Sequence, residues 1–417
     1  MFKYAENDEK SARIKVIGVG GAGGNAINNM IDSDLRGVNF IVANTDLQAL
    51  DLSKATMRIQ IGDKLTEGLG AGANPQIGRD AALENAEAIR NALKDSHMVF
   101  ITAGFGGGTG TGAAPVIAEI CKELGALTVA VVSKPFSFEG RKRMHQAEEG
   151  LDIIRDVADT VITIPNDRLR GLASKNATMI EMFRRADEVL LHSVKGITDL
   201  ILMPGLINLD FADVKTTMEK AGLAIMGIGI ASGENRAVEA AERAISHPLL
   251  EDLSIAGAKG VLMNITGTSS LTMEEMTEAS ERIYSEVGED AEIIWGTVID
   301  ESLGDEMRVT VIATGIGGDH SGAMSRGRRS PKAVQGARSI ARPVKKEEFR
   351  RQPYRPAAKE RGHMDYPHAV DYEEPAFMRK KKADDDGYRD TSYSDFEDKH
   401  MDIEDLDIPT FLRRKAD

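Results

Sequence analysis

One cysteine in the whole chain, Cys121, removes two classes of protein at once. A disulfide-stapled fold and a zinc site built from several thiolates both need more of them. The apolar neighbours in PVIAEICKEL mark this thiol as a core residue rather than a nucleophile, and the compartment expected is the reducing cytoplasm. Long apolar runs are missing too. None approaches the roughly 20 residues of a membrane-spanning helix, and the opening MFKYAENDEKSAR is polar, without the apolar stretch of a signal peptide. Nor is there a basic excess: a net charge of −14 argues against nucleic acid as a partner, because phosphate contacts need a basic surface. What remains is the expectation of a soluble chain of 417 residues, 41% of them hydrophobic, with material for two domains and a tail.

Strand-like runs at 14–18, 38–43, 98–103, 127–132 and 160–164 alternate with helix-like segments, which is the grammar of a parallel, doubly wound sheet. From Thr178 to about Leu202, apolar residues recur near a 3.6 period until Pro204 and Gly205 end the pattern. That helix would span about 37 Å, a whole domain, at 1.5 Å per residue. The order then changes to strand, helix, strand, helix and two strands with no helix between them, which reads as a smaller α+β domain with a mixed sheet. Periodicity ends near Gly318, and the following residues are charged, basic first and acidic later. Such a segment is expected to be a disordered linker. Apolar residues return in LDIPTFLRRKAD, where Leu406, Ile408, Phe411 and Leu412 suggest a peptide that docks in a partner's groove. The boundaries expected are a disordered extension 1–11, an amino-terminal domain 12–177, a central helix 178–203, a second domain 204–317, a linker 318–405 and a terminal peptide 406–417.

Two glycine-rich turns follow strands. GVGGAG at 18–23 fits the dinucleotide pattern G-x-G-x-x-G and continues through Gly24 and Asn25. NTD, with Asn44 and Asp46, closes the next strand where an acidic ribose-binding residue would sit, so a Rossmann-type oxidoreductase stands as the alternative reading. GFGGGTGTGAA at 104–114 weighs against it: a second set of backbone N–H donors suits a di- or triphosphate better than one pyrophosphate. Bare backbone at Gly104, Gly106, Gly107, Gly108 and Gly110 lets N–H groups converge on phosphate oxygens, with Thr109 and Thr111 adding hydroxyls and Pro115 expected in the first turn of the next helix. No G-K-[ST] follows, so this is not a Walker loop. LTEGLGAGANP at 65–75 reads as a mobile loop whose Gly70, Ala71, Gly72 and Ala73 are able to close over a terminal phosphate or to serve as plain linker.

GVGGAGGNA, NTD, GGGTGTG, PND at 165–167 and NLDFADVK at 208–215, in this order, resemble the FtsZ family of bacterial, tubulin-like cell-division GTPases. The likeness runs from about residue 11 to 317, and DIPTFLRR resembles that family's C-terminal partner-binding peptide. It implies an α/β fold: a Rossmann-like parallel-sheet GTPase domain, a long central helix and a smaller α+β domain. The ligand implied is GTP or GDP, with Mg2+ bound mainly through the phosphates and no metal ligands from the protein.

Carried over by resemblance, Gly21, Ala22, Gly23 and Gly24 join the phosphate site. Asp187 and Asn166 read the guanine edge, with Asn25 nearby, and Phe183 lies one helical turn before Asp187 to stack on the base. Glu139 and Arg143 match ribose-side contacts, although their spacing alone reads as a surface ion pair. The candidate catalytic residues are Asn208, Asp210 and Asp213. Read locally, Asp210 is a helix N-cap and Asp213 a first-turn acid. By resemblance, their segment docks on the next subunit's nucleotide and completes its site. The partners implied are copies of the same chain, as a homopolymer, and membrane-tethering and regulatory division proteins at the terminal peptide, beneath the membrane at the division site. A filament scaffold that binds nucleotide without turnover is the third reading.

Overall fold

The computed structural model describes residues 12–316, apart from 173–175, 204, 206, 208, 220, 251–254 and 289–290. The extension 1–11, the linker, the terminal peptide and Asn208 lie outside the described residues.

Ten strands make one sheet: β1 (Ile14–Val19), β2 (Val38–Asn44), β3 (Met57–Gln60), β4 (Met98–Gly104), β5 (Leu127–Lys134), β6 (Thr160–Pro165), β7 (Gly222–Ser232), β8 (Gly260–Gly267), β9 (Glu292–Ile299) and β10 (Glu306–Thr314). Their order is β3-β2-β1-β4-β5-β6-β7-β10-β8-β9. The first six are parallel in the doubly wound order that reverses between β1 and β4. The helices are α1 (Gly20–Asp32), α2 (Leu47–Asp51), α3 (Asp63–Thr66), α4 (Pro75–Glu84), α5 (Ala86–Leu93), α6 (Thr109–Glu123), α7 (Arg141–Val157), α8 (Asn166–Leu169), α9 (Met179–Leu202), α10 (Phe211–Met218), α11 (Arg236–Ile245) and α12 (Met273–Tyr284).

Central strands such as β4 are apolar along almost their whole length because both faces are covered. One core layer packs α1 and α9 on Val16, Phe100 and Val129; the opposite layer packs α4 to α7 on Ile17, Val99 and Ile101. Cys121 is fully buried in the second layer, and burial pushes its thiol up to about 12, so it is a core thiol as its neighbours imply.

The long helix forms as its periodicity requires. Thr178 and Glu181 close a capping box at the start of α9: Thr178 Oγ1 accepts the Glu181 N–H at 3.2 Å, and Glu181 accepts the Thr178 N–H at 2.7 Å. Val189, Leu190, Val194 and Ile197 then bury one stripe in the core.

Three features depart from the sequence reading. Strand β3 is an edge strand with only Ile59 buried, too short and polar to announce itself. Pro115 is the seventh residue of α6, not part of its first turn, because the helix starts inside the glycine run at Thr109. The last two strands are not neighbours, since β10 inserts antiparallel between β7 and β8 while β9 pairs parallel with β8 at the edge. Strand β7 also pairs parallel with β6 through Gly222–Ala224, so the second half extends the first half's sheet.

Helix α11 lies directly on the backbone of β7. A Cβ built on Gly229 would stand 1.8 Å from the Ala240 carbonyl oxygen and 2.6 Å from the Ala244 nitrogen, both helix backbone. Gly229→Ala is therefore expected to lower unfolding free energy by about 1–3 kcal/mol, the usual cost of overpacking. Gly257→Ala, where a Cβ meets nothing within 4 Å, should be close to neutral in the same denaturant titration.

Candidate nucleotide-binding site

A cavity of about 310 Å³ opens where the carboxyl ends of β1, β4, β5 and β6 converge, at the reversal of strand order. Helices α1 and α6 both begin there. Gly21 and Ala22 from one and Thr109 and Gly110 from the other line the wall, together with Gly104, Gly107 and Gly108. Two glycines leave room for a ligand, since a Cβ on Gly21 or Gly107 would meet nothing within 4 Å. Others are there for close packing. A Cβ on Gly23 would lie 2.4 Å from the Thr102 carbonyl oxygen, and one on Gly110 would lie 2.5 Å from that of Gly104. Gly106 has φ +97°, the left-handed region that favours glycine.

The two threonines diverge. Thr109 is at the cavity, its hydroxyl 2.7 Å from that of Thr45. Thr111 is buried, and its Oγ1 accepts the Gly106 N–H at 2.9 Å, so it braces the loop from behind. The segment 65–73 is tied down rather than slack. Leu47 donates to the Gly68 carbonyl at 3.0 Å and Gly70 donates to that of Thr45 at 3.2 Å. Ala71 is buried against Gly108, while Gly70, Gly72 and Ala73 continue beside the cavity without forming its wall. Asn44 and Asp46 organise the neighbouring turn: Asn44 Oδ1 accepts the Asp46 N–H, and Asp46 caps α2 through Gln48 at 2.9 Å. Gly24 and Asn25 also lie outside the wall.

At the far end, α9 contributes Phe183, Ala186 and Asp187. Phe183 is 41% exposed, which a core residue would not be, and meets Phe136 edge-on at 5.4 Å. Asn166 is 5% exposed, yet its Oδ1 has no hydrogen-bond partner. A buried amide oxygen left unpaired beside a cavity points to a ligand donor. Burial, and then the neighbouring Glu188, push the Asp187 carboxyl up to about 7. Glu139 accepts the Phe136 N–H at 2.9 Å and pairs with Arg143, and both residues line the wall. The i,i+4 ion pair read from spacing is thus present at the cavity itself.

Asp210 and Asp213 are elsewhere. Both are exposed on α10 and absent from the cavity wall. Asp210 occupies the cap position of α10, but its side chain makes no capping hydrogen bond. Phe105, Ser133, Pro135 and Ala186 line the cavity without having been singled out in the sequence. Ser133 carried a usable signal, a hydroxyl at the carboxyl end of an apolar strand.

Two glycine turns meeting at the strand-order reversal define a doubly wound nucleotide-binding α/β protein. The model of the Tubulin/FtsZ family GTPase domain matches residues 13–174, and that of the FtsZ family C-terminal domain matches 222–317. Cell division protein FtsZ of Coxiella burnetii is 48% identical over 414 residues, 99% of either chain. The solved FtsZ dimer of M. jannaschii, empty, is 49% identical and covers 74% of this chain and 89% of its own, with a TM-score of 0.71. CetZ2 from Haloferax volcanii, a GTPγS-bound protofilament, is 20% identical over 73% of this chain and 93% of its own, with a TM-score of 0.62, a likeness of fold alone. The chain belongs to the tubulin/FtsZ family of GTP-hydrolysing enzymes, as a homologue of the cell-division GTPase FtsZ.

Gly108 tests the phosphate turn. A Cβ there would lie 2.8 Å from Ala71 Cβ and 2.9 Å from the Asn74 nitrogen, so a serine must push the turn out of place. Gly108→Ser should weaken binding of a fluorescent GTP analogue by tenfold or more, about 1.4 kcal/mol. Wild-type affinity would show that the turn is only structural.

Proposed function

We propose that this GTPase binds GTP in the cavity, assembles head to tail with copies of itself into filaments at the division site, and hydrolyses GTP in sites completed by the next copy. The observation that carries this reading is the distribution of carboxylates. The cavity wall holds two, Glu139 and Asp187. Glu139 is engaged by Arg143 and the Phe136 N–H, Asp187 lies at the end we assign to the base, and Asp46 in the neighbouring turn is engaged in capping α2, so among the described residues the wall holds no further acid to orient water. Asp210 and Asp213 stand exposed on α10 without a capping bond, available to another copy.

In this reading the backbone N–H groups of Gly107, Gly108, Thr109 and Gly110 hold the phosphates, aided by the positive ends of α1 and α6. Asn166 and Asp187 accept from the guanine edge beneath Phe183. Asp213, with Asp210, polarises the attacking water on the neighbouring copy's nucleotide. Among the described residues no cluster of three acids, histidines or thiols is arranged to hold a metal. In this reading Mg2+ would be carried mainly on the phosphates, where it would neutralise charge on the departing oxygen. Residues 12–177 are assigned to the nucleotide domain, 178–203 to the central helix and 204–317 to the second domain. The terminal peptide 406–417 is assigned to division partners that tether the filament to the membrane.

Phosphate release per molecule should rise steeply above a threshold protein concentration, and a turnover number unchanged on dilution would overturn the shared site. Asp213→Asn should cut release by about 100-fold or more while sparing GTP affinity, and should poison wild-type turnover in mixtures. Additive rates in those mixtures would reduce Asp213 to a helix-start residue.

The base end predicts a pH dependence. With Asp187 raised to about 7, by burial and then Glu188, the carboxyl of the empty site is partly protonated near neutral pH, and that proton must leave before the carboxylate accepts from guanine. Affinity therefore falls as pH drops: at pH 6 about one site in eleven is ionised, so Kd should be about tenfold weaker than on the plateau above pH 8. Asp187→Asn should bind more weakly and lose that slope in titrations across the same range.

A further inference from the structure

The start of α10 carries the two acids of the proposed shared site, and it is held unlike the rest of that helix. From Val214 onward the helix is pinned in the core: Val214 and Met218 are buried, the Thr160 hydroxyl donates to the Met218 carbonyl at 2.5 Å, and that of Thr217 donates back to the Asp213 carbonyl at 3.2 Å. The amino-terminal end has no side-chain cap. Its first residue, Phe211, sits between Asp210 and Asp213 and packs partly buried at the core's edge, with its ring centroid 6.1 Å from that of His97 at an interplanar angle of 47°.

His97 is itself fixed, from the amino-terminal side of the sheet. Its N–H donates to the Arg13 carbonyl at 2.9 Å and its carbonyl accepts from Leu127 at 3.0 Å. The ring Nδ1 accepts the Arg13 N–H at 3.0 Å, and Nε2 lies 3.4 Å from the Arg13 guanidinium Nη2, so one residue holds both ring nitrogens. The Arg13 side chain is anchored in turn, donating through Nε to the Asp95 carbonyl at 2.5 Å. An exposed ring, held by Arg13 on the nucleotide half, thus lies against the ring that opens α10.

We infer that His97 is a positioning residue for hydrolysis: it seats Phe211 and so sets where Asp210 and Asp213 are presented to the neighbouring copy. This rests on the shared-site reading above. Catalytic acids displaced by a fraction of an ångström to an ångström lose rate while ligand binding elsewhere is untouched. The nucleotide cavity contains neither His97 nor Phe211.

The test uses the full chain and three replacements, with GTP affinity measured below the assembly threshold, polymer mass by sedimentation and phosphate release per assembled subunit. His97→Ala should leave affinity unchanged and slow release about tenfold. His97→Phe, which keeps a ring but cannot accept from Arg13, should restore it. His97→Asn, which keeps an acceptor but no ring, should not. In the Asp213→Asn background, His97→Ala should cause no further loss, because both act at one step. Where His97→Ala fails to assemble, Phe211→Leu should show the same split between affinity and release. Unchanged release in His97→Ala filaments, or rescue by asparagine instead of phenylalanine, would overturn the positioning role while leaving a slow Asp213→Asn intact. Normal release from Asp213→Asn would remove the shared-site reading and this inference with it.

Discussion

Backbone meets backbone at the nucleotide end of the sheet, and the rest of the architecture follows from that contact. A Cβ on Gly78 would lie 2.3 Å from the Gly108 carbonyl oxygen, and one on Gly112 would lie 1.9 Å from that of Pro75. Helix α4 therefore rests directly on the phosphate turn and on the first turns of α6. A Cβ on Gly20 would lie 2.9 Å from the Gly110 nitrogen, so the two phosphate turns touch as well. Glycine at these places is a packing requirement first. The same closeness brings N–H groups from two loops to one cavity, which side chains of any size would hold apart.

Helix α9 joins that cavity to the rest of the sheet. Its first turns provide Phe183 and Asp187, and three turns later Gly196 offers its carbonyl to Asn264 Nδ2 at 3.2 Å, on β8. Lys195 and Asp199, 2.8 Å apart, lie on the same stretch. A helix of 24 residues running between a ligand site and the second half's strands is one rigid element touching both. The acids on α10 follow it in the chain but emerge away from the cavity, a separation that suits a site shared between copies better than one closed within a single chain.

Much of this was open to reading in one dimension, and what failed did so for identifiable reasons. The parallel strands, the central helix with its Thr178 start and the two glycine turns are local patterns of period and composition, and they stand where they were read. Strand β3 escaped because an edge strand buries too little to enforce alternation. Segment 65–73 looked slack because its composition hides the backbone bonds to Thr45 and Leu47 that hold it. That Thr111 also braces the loop, its Oγ1 accepting the Gly106 N–H, could not be read from residue type, which does not tell which way a hydroxyl faces.

The sequence by itself determined the class of fold, the two glycine turns and the family, since these depend on residue type, spacing and order along the chain. Only the tertiary structure decided which residues share the cavity. It left the Asn166 oxygen unpaired beside it, raised Asp187 by burial, placed Ser133 in the wall, and set His97 against Phe211 across more than a hundred residues of chain. Desolvation and side-chain contact depend on distances in space, and those exist only once the sheet has brought remote strand ends together.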